Sequence, residues 1–187
     1  MSSIAVKGAD TGTGVFTIES PATNTDRTIT LPDEAGEIIT NTTLGGEFSA
    51  FKAFRSATVA ISSSTWTTVV FNTESFDTNS FYDASTGIFT PTVAGYYQLN
   101  CSVSLQGFPA SRWLVAFYNG TTRLYKGDLN GVSSSDFMCQ SGSGVFYFNG
   151  TTDSMRVQVF CTGTSPDVGG DSNGILSDFS GHLVRKA

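Results

Sequence analysis

A chain of 187 residues is long enough for one well-buried core and a short appendage, and too short for two large domains. Hydrophobic residues at 39%, aromatics at 12% and charges at only 14% exclude disorder as the dominant state, because that apolar content can fill a core. Ten Lys and Arg against 16 Asp and Glu leave a net charge of -6, the wrong sign for neutralising phosphates, so no nucleic-acid partner is expected.

Met1 to Asp10 lacks the charged start and apolar block of a secretory signal. No window approaches the roughly 18 to 20 apolar residues that span a bilayer. The expectation is a chain that starts in the cytoplasm and inserts into no membrane. From Gly14 to Thr40, two short alternating pieces, Val15 to Glu19 and Thr28 to Leu31, flank the polar stretch Ser20 to Asp26 and close at Pro32. That is a strand rhythm. So few apolar residues make no core of their own, so Val15, Phe16, Ile18, Ile29, Leu31, Ile38 and Ile39 are expected to lie against the chain's own knob, sister copies or a larger particle. The composition shifts at Leu44-Gly45-Gly46, which assigns residues 1–47 to an extended β arm and residues 48–187 to a knob.

Within the knob, β-branched and aromatic residues recur in short runs bounded by Gly, Asn, Asp and Pro, with no helical period. Strands are expected over Thr65 to Asn72, Gly95 to Leu105, Arg112 to Tyr118, Thr121 to Tyr125, Gly144 to Phe148, Ser154 to Phe160 and Asp178 to Val184. Together they form an all-β, two-sheet antiparallel sandwich. Asn119-Gly120, Asn130-Gly131 and Asn149-Gly150 are expected as tight hairpin turns, which need residues that accept positive φ. Gly95 opens the longest run, where a side chain would obstruct the close approach of the turning chain. In that run Tyr97, Leu99, Cys101, Val103 and Leu105 share one face, and Tyr96, Gln98, Asn100, Ser102 and Ser104 the other, which is polar except for Tyr96. Later runs set Phe146 and Phe148 against Val145 and Tyr147, and Val157 and Val159 against Gln158 and Phe160. Apolar groups on both faces call for burial on both sides, which a symmetric trimer would supply.

One spacing is specific: Phe71, five residues, Asp77, four residues, Tyr82, six residues, Phe89, five residues, Gly95, one residue, Tyr97. It resembles the signature of the complement C1q globular-head family, part of the tumour-necrosis-factor-like jelly rolls. Two and four positions beyond Tyr97, where the family has aromatics, stand Leu99 and Cys101, both apolar on the same strand face. Phe179-Ser180-Gly181-His182-Leu183-Val184 is similar to the closing strand, with His182 where an apolar residue usually stands. Phe51 to Ala57 looks like the opening strand, and Gly144 to Gly150 like the penultimate hairpin. The resemblance covers Phe48 to Val184. It implies a homotrimeric jelly-roll sandwich with Phe71, Asp77, Tyr82, Phe89, Gly95, Tyr97, Phe179 and Gly181 as its signature core.

The arm carries a second resemblance. Gly14 to Thr40 is similar to a segment common in tailed-phage fibres and head appendages, where a Thr-Ile-Thr-Leu-Pro-Asp strand precedes a terminal knob. The two together imply a bacteriophage virion protein assembled in the host cytoplasm: a trimeric capsid decoration, cement or head-appendage protein, held by its arm to the major capsid protein or other virion proteins. The alternative is the receptor-binding tip of a short tail fibre. About 45 residues ahead of the knob leave room for an anchoring arm but not for a tail-attachment domain and long shaft.

Residues for chemistry are sparse. The sole histidine, His182, sits in the last expected strand without a second histidine to share a metal. No nucleophile with an oriented base and no credible acidic pair stands out, so neither an enzyme nor a cofactor is expected. Cys101, Cys139 and Cys161 are odd in number and lack CxxC spacing, and they read as reduced, mostly buried thiols. Asp167-Val168-Gly169-Gly170-Asp171-Ser172-Asn173 offers oxygens of the kind calcium takes, as related heads sometimes do near their apex, but it lacks regular ligand spacing and reads first as a surface turn. Trp66, Phe108, Trp113, Tyr118 and Tyr125 include candidates for a platform that stacks on a host surface glycan, although core packing is the default for most. Phe108 to Ser111 and Gly131 to Phe137 read as loops, where recognition usually sits.

Overall fold

The computed structural model describes residues 48–106, 110–132 and 138–187, with Thr11, Thr13, Ala22, Asn24 and Asp26 singly. The arm residues singled out above, Val15, Phe16, Ile18, Ile29, Leu31, Ile38 and Ile39, lie outside the described residues, as does Phe108.

Among the described residues all regular structure is strand. In chain order these are β1 (Ala50–Phe54), β2 (Val59–Ala60), β3 (Thr67–Thr68), β4 (Thr73–Asp77), β5 (Tyr82–Asp83), β6 (Ile88–Phe89), β7 (Gly95–Gln106), β8 (Ala110–Asn119), β9 (Thr122–Val132), β10 (Met138–Phe148), β11 (Met155–Cys161), β12 (Asp167–Val168) and β13 (Asp178–Lys186). They make two antiparallel sheets. In the first, β10 lies on one edge of β7, β13, β1 and β4 follow on the other, and β12, with β2 beyond it, pairs the C-terminal end of β7. The second runs β5, β6, β11, β8, β9, with β3 beside β11. Neighbours such as β7 and β13, or β6 and β11, are distant in sequence, so the chain crosses repeatedly between sheets, as in a jelly roll.

Period-two alternation places one face of each sheet in the core. Tyr97, Leu99, Cys101, Val103 and Leu105 of β7 are all buried, and so are Met155, Val157, Val159 and Cys161 of β11 and Trp113, Val115 and Phe117 of β8. Full burial of each large side chain contributes about 1.5–3 kcal/mol. Ser104, on the alternate face, is also buried. Its amide donates to Ser177 Oγ at 3.0 Å and its carbonyl accepts from Gly169 at 2.8 Å.

Several expected boundaries differ. Thr65 to Asn72 is not one strand: only Thr67 and Thr68 form β3. Val69 keeps a last bond to β11, its amide donating to the Val157 carbonyl at 2.9 Å, and the chain then leaves that strand with Val69 and Phe71 in the core. Asn130-Gly131 is no turn, because the β8–β9 ladder runs on past it, with Asn130 opposite Arg112 and Val132 opposite Ala110. Asn119-Gly120 does close that hairpin, Gly120 taking φ 56°. Asn149-Gly150 is a turn too, with Gly150 at φ 73°. It joins strands of different sheets, since β10 pairs β7 and β11 pairs β8, so the penultimate hairpin is instead a crossover.

Candidate functional site

The signature residues converge on one aromatic centre. Phe51 stacks on Phe89 with centroids 4.6 Å apart and meets Phe179 edge-on at 4.9 Å. Phe89 in turn meets Tyr97 and Phe148, both at 5.5 Å. The Tyr82 hydroxyl accepts from the Phe71 amide at 3.2 Å and donates to its carbonyl at 3.0 Å, and burial pushes its pKa well up. Asp77 closes the corner between β4 and β5, one carboxylate oxygen accepting from the Tyr82 amide at 2.7 Å and the other from Asn79 at 3.1 Å. The spacing therefore pins one edge of the sandwich through both ring packing and backbone satisfaction. Gly95 is buried where β7 meets β13, and a Cβ there would stand 2.5 Å from the Arg185 carbonyl oxygen. Gly181 lies further along the same ladder, opposite Leu99, where a Cβ would run into Leu99 and Phe51.

The outward face of the first sheet is apolar in patches. Tyr96 of β7 and Tyr147 of β10 pair across the ladder with rings 5.4 Å apart, and they remain 46% and 49% exposed. Val145, two residues along the same face, and Val184, at a bulge of β13, are more than half exposed. His182 is exposed on this face, opposite Gln98 and Ala50.

Cys101 and Cys161 are buried, but Cys139 is exposed, correcting the expectation for that thiol: it faces outward on β10, 2.9 Å from Ser102 Oγ. Burial pushes the Cys101 thiol up to about 12 and raises Cys161 as well, so both are held as unreactive thiols. Asp171, within the acidic Gly-rich loop, accepts from the amides of Asn173 at 2.8 Å and of Ile175 and Leu176 at 2.9 Å. Those bonds lower its pKa; its oxygens are spent on closing their own turn. An open depression of about 350 Å³ is lined by Ser80, Phe81, Tyr82, Asp83, Thr86, Ile88 and Thr90. Asp83, its carboxylate, is likewise committed to Ser85 and Thr86.

Of the candidate platform aromatics, Trp113 is fully buried, and Tyr125 packs on the core residue Phe117 at 5.7 Å, so neither presents a stacking surface. Trp66 and Tyr118 do come together on the outward side of the second sheet. Beside them stand Phe160 and Arg123, which sequence reading missed. The alternation that puts Phe160 outward with Gln158 is visible in the sequence; the strand register that delivers Arg123 is not.

The C1q domain family profile matches residues 50–184. Among solved structures, the chain is similar to the globular domain of zebrafish complement 1qA protein, at TM-score 0.57 and 21% identity over 74% of this chain and 99% of that one. It is also similar to murine APRIL, at 0.53 and 15% over 74% and 100%, and to PRD1 vertex protein P5, at 0.51 and 10% over 74% and 97%. A search of curated protein sequences gives no match. With the profile spanning β1 to the closing strand, and a jelly roll in which Phe71, Tyr82, Phe89, Tyr97 and Phe179 meet as one core, the chain belongs to the C1q domain family.

Proposed function

We propose that this chain is a non-enzymatic structural protein of a tailed-bacteriophage virion, in which residues 1–47 anchor a homotrimer of C1q-like knobs, residues 48–187, to the capsid. The observation that carries self-association is the outward apolar face of the first sheet, Tyr96, Val145, Tyr147 and Val184, each close to half exposed or more. Two sister copies would remove such a patch from water, and each hundred Å² so covered contributes about 2.5 kcal/mol. The arm-like sequence Gly14 to Thr40 supports the virion setting, and so does the occurrence of the same fold in a vertex protein. A second role, the receptor-binding tip of a short tail fibre, draws support from the arginine and aromatic cluster on the opposite sheet.

Light scattering on the purified chain is expected to give three times the 19.8 kDa chain mass; a single-chain mass at micromolar concentration would end the trimer proposal. Removal of Met1 to Leu44 should leave the knob trimeric but unable to join particles. Particles that still take up the shortened chain would rule out the arm as anchor.

A further inference from the structure

On the outward side of the second sheet, Trp66, just ahead of β3, packs edge-on against Tyr118 at 5.5 Å and tilted against Phe160 at 5.5 Å. The Arg123 guanidinium carbon lies over the indole, 5.4 Å from its centroid. Strand register brings up a second arginine: Arg156 on β11 stands opposite Tyr118 on β8, which stands opposite Arg123 on β9. The β8–β9 ladder shifts register between Phe117 and Tyr118, a bulge of the kind that re-aims the side chains next to it. Arg156 donates through Nη2 to the Gly120 carbonyl at 2.6 Å, which ties it to the hairpin turn, and its Nε is buried with no hydrogen-bond partner. Among the described residues the ion pairs are Lys52 with Asp178 and Arg112 with Asp128. Among the same residues, neither Arg123 nor Arg156 is paired with a carboxylate.

Two arginines flanking Tyr118, with no carboxylate paired to either among the described residues, form a local inversion of sign on a chain of net charge -6. A guanidinium laid over an indole is held in place by the ring while its edge donors stay free, pre-organised for a planar carboxylate. The rings beside it supply an apolar surface of the kind that receives the C–H face of a sugar. Next to them Gln158 donates to Thr68 Oγ1 at 3.1 Å, a pair of neutral polar groups of the type that reads hydroxyls. We propose that Trp66, Tyr118, Arg123 and Arg156 form a binding site for a carboxylate-bearing sugar unit of an acidic polysaccharide, with Arg123 receiving the carboxylate, Arg156 reinforcing the positive field and Trp66 packing on the ring. The neutral polar groups and the flat sheet face favour a glycan over an acidic peptide, which would want a groove or a free strand edge. The site lies on the sheet opposite the apolar face, so a trimer formed through that face leaves it open, and it does not depend on the anchoring role.

Tryptophan emission provides the readout, because Trp113 is fully buried and Trp66 reports the surface. The full chain is titrated with an oligogalacturonate, a neutral gluco-oligosaccharide of equal length and poly-glutamate. A saturable emission change is expected with the oligogalacturonate alone. Arg123→Ala is expected to weaken binding about tenfold, the loss of one charge-assisted contact, and Arg156→Gln to weaken it in the same direction, both with unchanged far-ultraviolet circular dichroism and unchanged mass. Arg123→Lys, which keeps the charge but not the planar fork, should weaken it too and guards against a folding artefact. The proposal is overturned by no saturable response in the millimolar range, by arginine variants that bind like the parent, or by equal binding of the neutral sugar. Equal or tighter binding of poly-glutamate overturns it as well and assigns the surface to an acidic protein.

Discussion

Phe179 touches four other aromatic rings, those of Phe51, Phe71, Tyr82 and Phe117, and has no exposed surface. Its removal leaves a cavity between the sheets that neither can collapse to fill, so Phe179→Ala is expected to cost about 3–5 kcal/mol, measured as a lower urea midpoint. Phe76, exposed on the edge strand β4, should cost far less. The buried thiol Cys101 gives a second prediction at this scale. Its folded pKa, about 12, lies above the unfolded value of about 8.5. Its contribution to stability is therefore complete below about pH 8.5 and is lost as pH rises towards 12, because the unfolded thiol ionises first. Tyr97, also pushed up to about 12 by burial, joins from about pH 10. Urea midpoints measured across this range should fall with pH, and Cys101→Ala should flatten the first part of the decline. A thiol reagent should label Cys139 in the native protein, and Cys101 and Cys161 only after unfolding.

Turns and short elements hold their shape through side chains that satisfy local amides. Asp171 collects the amides of Asn173, Ile175 and Leu176, and this loop carries the chain from β12 towards β13. Its lowered pKa means that the carboxylate stabilises the fold at neutral pH and stops doing so as acid takes it through its unfolded and then its lower folded pKa. Asp171→Asn should lower the melting temperature at pH 7, and the gap to the parent should close in acid. Calcium added to the parent should leave its melting temperature unchanged, since the oxygens that would hold the ion are already engaged. At the same scale, alternation in Tyr96 to Leu105 located β7 and its inward face from sequence. Asn130-Gly131 misled, because a dipeptide that suits a tight turn also sits without strain in an extended ladder. The pairing of β9 with β8 decided between them.

For the whole molecule, the sandwich closes its core but leaves Tyr96, Val145, Tyr147 and Val184 facing out from one sheet. Tyr147→Glu places a carboxylate in that patch. Because Tyr147 is half exposed within one chain, the substitution should leave the fold and its far-ultraviolet signature intact while reducing the mass in light scattering to that of one chain, a buried unpaired charge being costly at an interface. Retention of three chains would place the contact elsewhere. The opposite sheet, with its arginines over Trp66, should be indifferent to this change, which separates assembly from ligand binding.

The sequence by itself determined the fold class, because period-two alternation and a fixed spacing of aromatics, Asp77 and Gly95 encode which side chains enter the core and where the chain must turn. It also exposed the unusual apolar positions, Tyr96, Val145 and Tyr147, as breaks in that alternation. What only the tertiary structure decided is which strands lie side by side. Arg123, Tyr118 and Arg156 come from three strands and Trp66 from a fourth segment, and no local pattern links them. Their meeting follows from sheet register, which is set by the packing of the entire sandwich.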